Sequence, residues 1–171
     1  GNFAEETFNI TVNSTLPTII PEVTNNSYVN NNTLIDVEYT GDVGWYNQSG
    51  IIYNITGPVK INSSEIIFYS NNSLYEVSKI YNFNIDDEKP EVDLLSPLNG
   101  SSINGTVEIV VNVSDKAGIS EYLLYVDGVK EEDMILETHL MEDGIHNFTV
   151  YAKDKSGNKI NKTLSYNITN N

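Results

Sequence analysis

Fourteen asparagines stand in the pattern Asn-X-Ser/Thr, none with proline at X: Asn9, Asn13, Asn25, Asn31, Asn47, Asn54, Asn62, Asn71, Asn99, Asn104, Asn112, Asn147, Asn161 and Asn167. The chemistry this spacing offers is attachment of a glycan to the side-chain amide. With 24 Asn and 28 Ser plus Thr in 171 residues, random order would give about 4 such patterns. A biased, AT-rich coding composition accounts for the abundant Asn, Ile, Tyr and Lys and for the missing Arg. It accounts less well for the spacing. Asn9, Asn112, Asn147, Asn161 and Asn167 also fall out of phase with the apolar residues of their segments, where a bulky, solvated substituent can sit.

The remaining chemistry-bearing residues are few. Asp86, Asp87 and Glu88 are adjacent, and Asp93, Asp115, Asp127 and Asp154 stand in or near turns. Oxygen-rich junctions of this kind are the ligands Ca²⁺ takes. No EF-hand-like or cadherin-like spacing is present, which favours a solvated acidic linker. Trp45 and Tyr46 are flanked by glycine, which reads as a loop where an aromatic face could stack on a sugar. His139 and His146 are the two histidines, and His146 falls in phase with apolar neighbours, so it reads as a packed core residue. Cysteine is absent, which excludes disulfides, thiolate metal sites and thiol nucleophiles. No catalytic residues are assigned, because the carboxylate pairs belong to turns and edges.

Charge removes further classes. Nine Lys and no Arg face 24 Asp plus Glu, for a net charge of −15. A nucleic-acid partner needs clustered cations, so none is expected. A basic membrane-surface helix is disfavoured for the same reason, and no apolar run reaches the roughly 20 residues of a membrane span. The chain opens Gly-Asn-Phe, which reads as an excised fragment without a visible signal peptide.

The elements that must position these residues are strands. Phe8-Asn9-Ile10-Thr11-Val12, Tyr81-Asn82-Phe83-Asn84-Ile85 and Leu164-Ser165-Tyr166-Asn167-Ile168 all alternate with a period of two. The same period runs through Ile35, Val37 and Tyr39, through Val107, Ile109, Val111 and Val113, and through His146, Phe148, Val150 and Ala152. Turn residues interrupt at intervals of about 8 to 12, the rhythm of an all-β sandwich. No amphipathic helix is convincing; Lys130 to Glu137 fits a turn and an edge strand equally well. Pro-containing connections follow the first two closing strands, at Leu16-Pro17 and Lys89-Pro90. The expected organisation is therefore the closing strand of a preceding repeat plus linker (1–16), a first sandwich (17–86) and a second sandwich (88–171). The stripe Phe8, Ile10 and Val12 needs an edge to pair with, in the previous repeat or in a neighbouring molecule.

Certain residues carry a family resemblance. Pro90-Glu91-Val92-Asp93-Leu94-Leu95-Ser96-Pro97-Leu98-Asn99-Gly100, Val113-Ser114-Asp115-Lys116-Ala117-Gly118-Ile119, Tyr125-Val126-Asp127-Gly128 and the closing stretch from Asp143 to Asn158 resemble bacterial and archaeal Ig-like surface modules. Tyr53 to Ile61, Glu65 to Ser70 and Tyr81 to Asp86 are similar to the Ig-like or fibronectin-like module at the C-terminus of chitobiase and β-hexosaminidase, a module repeated in methanogen adhesin-like proteins. Where that family has Tyr-Thr-X-Asp-Gly, this chain reads Tyr39-Thr40-Gly41-Asp42-Val43-Gly44. The resemblance implies two tandem Ig-like or fibronectin-like β-sandwiches in series, without catalytic residues or cofactor. It implies an extracellular piece of an archaeal surface protein, adhesin-like or S-layer-type. Its partners would be neighbouring repeats of the same chain and surface glycans or proteins. Cysteine-poor, acidic, sequon-rich composition points the same way. The competing expectation is the accessory, carbohydrate-binding part of a secreted glycoside hydrolase or peptidase.

Overall fold

The computed structural model describes residues 15–170. The expected strand at residues 8–12, with Asn9 and Asn13, lies outside them. The described residues form β-strands joined by turns, with one short 3-10 turn at Thr138–Leu140. They divide into two compact units, one holding residues 15–27 and Asn32–Phe83, the other Tyr28–Asn31 and residues 84–170. Both are Ig-like β-sandwiches.

The first unit is built on a four-stranded antiparallel sheet, in spatial order Ile51–Asn54, Val43–Gln48, Glu65–Asn71 and Glu76–Asn82. Thr18–Pro21 pairs with Val37–Thr40, and Leu34–Ile35 with Val59–Lys60. Alternation decides which side of the sheet each residue takes. Along Glu65–Asn71, Ile66, Phe68 and Ser70 are buried while Ile67, Tyr69 and Asn71 are not. Ile19, Ile35, Val59, Ile61, Ile66, Phe68 and Phe83 make the apolar interior. Full burial of a side chain such as Phe68 contributes about 1.5–3 kcal/mol. Tyr81 meets the Phe68 ring edge-on at 5.8 Å, a favoured quadrupole geometry.

The buried side chains of Ser70 and Asn72 are tied by hydrogen bonds, while the buried Ser27 hydroxyl has no hydrogen-bond partner among the described residues. The Ser70 hydroxyl donates to the Thr40 carbonyl at 2.8 Å. Asn72 donates to the Thr15 carbonyl, and its oxygen accepts from the amides of Leu74 and Tyr75. Gly41 lies at φ +133°, and a Cβ there would stand 2.4 Å from the Asn71 carbonyl oxygen. That turn therefore admits no larger residue without moving backbone.

The second unit is built on a longer sheet. Its order is Ser102–Ile103, Lys159–Ile168, Gly144–Asp154, Ile119–Val126 and Val129–Lys130; the first pair is parallel and the rest antiparallel. Glu91–Ser96 pairs with Val110–Ser114 across a register shift at Leu94. Thr106–Glu108 pairs with Ile135–Glu137, and Asn84–Ile85 pairs in parallel with Tyr28–Val29. Between the layers lie Val92, Ile109, Leu124, Phe148, Val150, Tyr166 and Ile168. Phe148 and Tyr166 touch at 4.8 Å between ring centres, and the Tyr166 hydroxyl donates to the Pro97 carbonyl at 3.0 Å. That bond satisfies the polar end of a buried ring, and burial raises the Tyr166 pKa.

Two sequence expectations need correction. Trp45 and Tyr46 are not in a loop; they are central in the strand Val43–Gln48. Gly44 suggested a loop, but its role is close packing, since a Cβ there would stand 2.7 Å from the Tyr39 ring. His146 is not a core residue. Phe148, Val150 and Ala152 on its face are fully buried, but His146 stands at the end of the strand with 16% of its side chain exposed.

Candidate functional site

The twelve sequon asparagines among the described residues are distributed over both units, and none is buried. Asn25, Asn31, Asn54, Asn62, Asn99, Asn104, Asn112, Asn147 and Asn161 are exposed; Asn47, Asn71 and Asn167 are half-buried. Several are held through the side-chain oxygen, leaving the nitrogen outside those bonds. Asn25 accepts from the amides of Asn26 and Asn82, Asn47 from that of Gly50, and Asn147 from the Ser165 hydroxyl. Asn31 and Asn167 instead donate through the side-chain nitrogen, to Asp87 and Ser102 respectively. Asparagines outside the pattern include structural ones: Asn72 and Asn158 are tied into turns by several bonds each.

Strand pairing places particular sequons beside aromatic rings. Directly paired residues of an antiparallel sheet share a face. Asn54 is paired with Trp45, and Trp45 with Tyr69, on the outer side of the first unit's sheet. The Trp45 and Tyr69 rings are stacked, 5.5 Å apart and 4° from parallel. Asn47 sits between Ile52 and Ile67, and Asn71 opposite Val43, on the same side. In the second unit Asn161 is paired with Tyr151 on the outer face of its sheet. There Tyr125, Gly128, Thr149, Tyr151 and Asn161 line a concavity of about 270 Å³.

The acidic residues separate. Asp86, Asp87 and Glu88 do not converge. Asp87 accepts from the Asn31 backbone amide at 2.8 Å and from its side chain, and Glu88 is exposed. Asp93 accepts from Lys162 at 3.2 Å. Asp86 is not a solvated linker residue: it is 2% exposed. It meets Asp115 and the fully buried Asp154, one carboxylate oxygen of each lying within 4.8 Å of the others.

Two similar turns bring them together, Asp115-Lys116-Ala117-Gly118 and Asp154-Lys155-Ser156-Gly157. In each the aspartate accepts from its own turn, at 2.7 Å from the Ala117 amide and 2.9 Å from the Asn158 amide. Each turn glycine has positive φ, +82° and +95°. The Lys155 amide donates to the Gly118 carbonyl at 2.9 Å and joins the two turns. This repeated Asp-Lys-small-Gly pattern was the signal in the sequence that could have found the trio. Burial pushes the Asp115 pKa up; the Ala117 amide opposes this, and Asp86 and Asp154 add to it. The three carboxylates offer hard oxygens of the kind Ca²⁺ takes.

His146 completes the polar rim of the second unit. Its Nδ1 lies 2.6 Å from Asp127 and its Nε2 2.9 Å from the Glu142 carbonyl oxygen. The Asn147 amide, then His146, hold the Asp127 carboxyl below its ordinary range. Burial pulls the His146 pKa down, but the bonds to Asp127 and Glu142 outweigh it and the net shift is upward.

Among the described residues no helix is long and apolar enough to cross a membrane. No curated protein matches the chain. Fibronectin(III)-like modules of Clostridium thermocellum CbhA superpose with a TM-score of 0.57 at 14% identity, covering 90% of this chain and 95% of theirs. A Ca²⁺-stabilised adhesin by which an Antarctic bacterium binds ice gives 0.43 at 14% identity, over 94% of this chain and 50% of that one. An endo-β-1,4-mannanase from Thermotoga petrophila gives 0.44 at 18% identity over 50% of this chain, which spans 21% of the mannanase. Residues 90–170 match the family described as Bacterial Ig domain, in agreement with the Ig-like modules seen in the fold.

Proposed function

We propose that this chain is a non-catalytic, N-glycosylated pair of Ig-like modules from the surface of an archaeal cell, in an adhesin-like or S-layer-type protein. The observation that carries the reading is the solvent access of the sequons: fourteen by sequence, twelve described, none of those buried. In the modification, an Asn side-chain nitrogen bonds to the anomeric carbon of a glycosyl phosphate donor. The donor's carbon–oxygen bond to phosphate breaks, and the amide gives up one proton. Glycans on the sheets shield backbone and discourage edge-to-edge pairing. A net charge of −15 adds mutual repulsion. The work of the modules is to hold space and to carry sugars, with neighbouring repeats and surface glycans or proteins as partners.

A second reading is favoured by Trp45, which stands on an outer sheet face: an accessory module that binds polysaccharide for a secreted hydrolase or peptidase. A glycan-array signal that Trp45→Ala abolishes would support it. The first reading is tested by peptide mapping of native material with mass spectrometry. Hexose-bearing peptides are expected at several sequons, and unmodified Asn112 and Asn147 would weigh against it.

A further inference from the structure

We infer that the outer faces of the two large sheets are covered by the chain's own glycans, the first sugar at Asn54 packing on Trp45 and that at Asn161 on Tyr151. This rests on the glycosylation reading above and adds to it a non-covalent contact with a named partner ring.

The outer face of the first unit's sheet presents a need. Ile52, Ile80 and Val43 are 65%, 54% and 46% exposed. Pairing sets Ile52, Asn47, Ile67 and Ile80 in one row across the four strands, and Asn54, Trp45, Tyr69 and Ser78 in a second. Exposed apolar side chains grouped on one sheet face are a setting for an interaction partner. The same face carries three of the fourteen sequons, Asn47, Asn54 and Asn71, interleaved with those apolar residues. Each asparagine lies one strand spacing from an apolar side chain, with Cβ atoms about 4.5–5.5 Å apart. A pyranose linked there starts beside the ring and not out in solvent.

The chemistry of the contact suits both partners. A pyranose ring has a face of C–H bonds and a rim of hydroxyls. The C–H face is weakly positive and the aromatic face weakly negative, so they attract while water leaves both. The Trp45–Tyr69 stack fixes the indole in place, so little conformational freedom is lost when the sugar settles.

The second unit repeats the arrangement independently. Tyr151 is paired with Asn161 on one side and Leu123 on the other. The concavity between Tyr125 and Tyr151 borders Asn161, with the Thr149 hydroxyl bonded to Thr163 beside it. Two sheets unrelated in strand length place a sequon directly across from an aromatic ring.

The chain holds one tryptophan, so its fluorescence reports on Trp45 alone. The full chain is produced in a host that glycosylates sequons, and occupancy is mapped by mass spectrometry. With Asn54 occupied, Asn54→Gln is expected to make Trp45 more accessible to acrylamide and to lower the melting temperature by roughly 4 °C. Asn62→Gln, which removes a sequon of the same unit off this sheet, leaves Trp45 quenching unchanged. In a Trp45→Leu background, the thermal effect of Asn54→Gln shrinks to under about 1 °C. An occupied Asn54 with no change in quenching and no coupling overturns the inference while leaving the glycoprotein reading intact. Absence of sugar from every sequon overturns both. A dimer whose dissociation exposes Trp45 while Asn54→Gln has no effect assigns the face to a second copy, and also overturns the inference.

Discussion

The two large sheets bury similar rings by different means. In the second unit, Gly144–Asp154 and Lys159–Ile168 are eleven and ten residues long and stay in register throughout. Aliphatic residues fill the layer beneath them, and one ring pair, Phe148 and Tyr166, anchors it. Among the described residues of the first unit no strand exceeds seven residues. A chain of rings takes the place of length: Tyr53 on Tyr46, Tyr46 near Phe68, Phe68 against Tyr81 and Tyr81 near Phe83. Buried Gln48, Ser70 and Asn72 tie this unit's turns by hydrogen bonds. One sandwich rests on the length of its strand pairing; the other rests on aromatic contacts and a few polar clamps.

The largest expected effect follows from that difference. Phe→Ala in a core costs about 3–5 kcal/mol, against a total of only about 5–15 kcal/mol for a domain. Phe68 contacts two rings of its cluster, so Phe68→Ala is expected to remove most of the first unit's stability. Hydrogen exchange would show Val43–Gln48 losing protection while Gly144–Asp154 keeps it. Phe148→Ala should leave the second unit folded with a lowered melting temperature. Equal loss in both units would remove the contrast between them. A smaller effect, roughly 2–3 kcal/mol, is expected for Gly41→Ala. It combines φ +133° with a 2.4 Å approach to the Asn71 carbonyl oxygen. Chemical denaturation should show it in the first unit's transition, and a neutral result would mean that the turn relaxes.

Alternation alone marks most of the long strands in the sequence. Phe148, Val150, Ala152, Tyr166 and Ile168 fall inward as their period requires, because the period of two is a local property of extended backbone. Where a strand meets the rim of a sandwich is not local, so His146 kept its phase and lost its burial. Trp45 was misplaced for a different reason. Glycine reads as a turn, but Gly44 is in a strand to admit the Tyr39 ring. The meeting of Asp86, Asp115 and Asp154 depends on which turns end up side by side, which adjacency in sequence does not encode. Phase placed Asn112, Asn147 and Asn161 on exposed strand positions, while Asn167, also out of phase with the core, is half-buried.

The smallest effects are electrostatic and separate the two carboxylate settings of the second unit. His146 is raised above its ordinary 6.5, so its bond to Asp127 contributes fully below 6.5 and is lost as pH rises through the raised value. Asp127 is lowered from 3.8, so its contribution is present above 3.8 and disappears as pH falls through the lowered value. Asp115 has the opposite sign. Raised from 3.8, it favours folding when protonated, and that gain is lost as pH rises through its raised value. In chelator, the second unit's melting temperature should therefore climb as pH falls through the raised value of His146 toward 6.5, and drop again as pH falls below 3.8 through the lowered value of Asp127. Each limb is worth about 1 kcal/mol or less, since these groups are partly solvated. His146→Gln should flatten the upper limb. Asp115→Asn, which removes one like charge from the trio, should raise the melting temperature at neutral pH in chelator. A lowered one in millimolar Ca²⁺ would mean that the same carboxylate serves as a ligand there. If Asp115→Asn is destabilising even in chelator, its bond to the Ala117 amide outweighs the repulsion, and the trio does not strain the second unit.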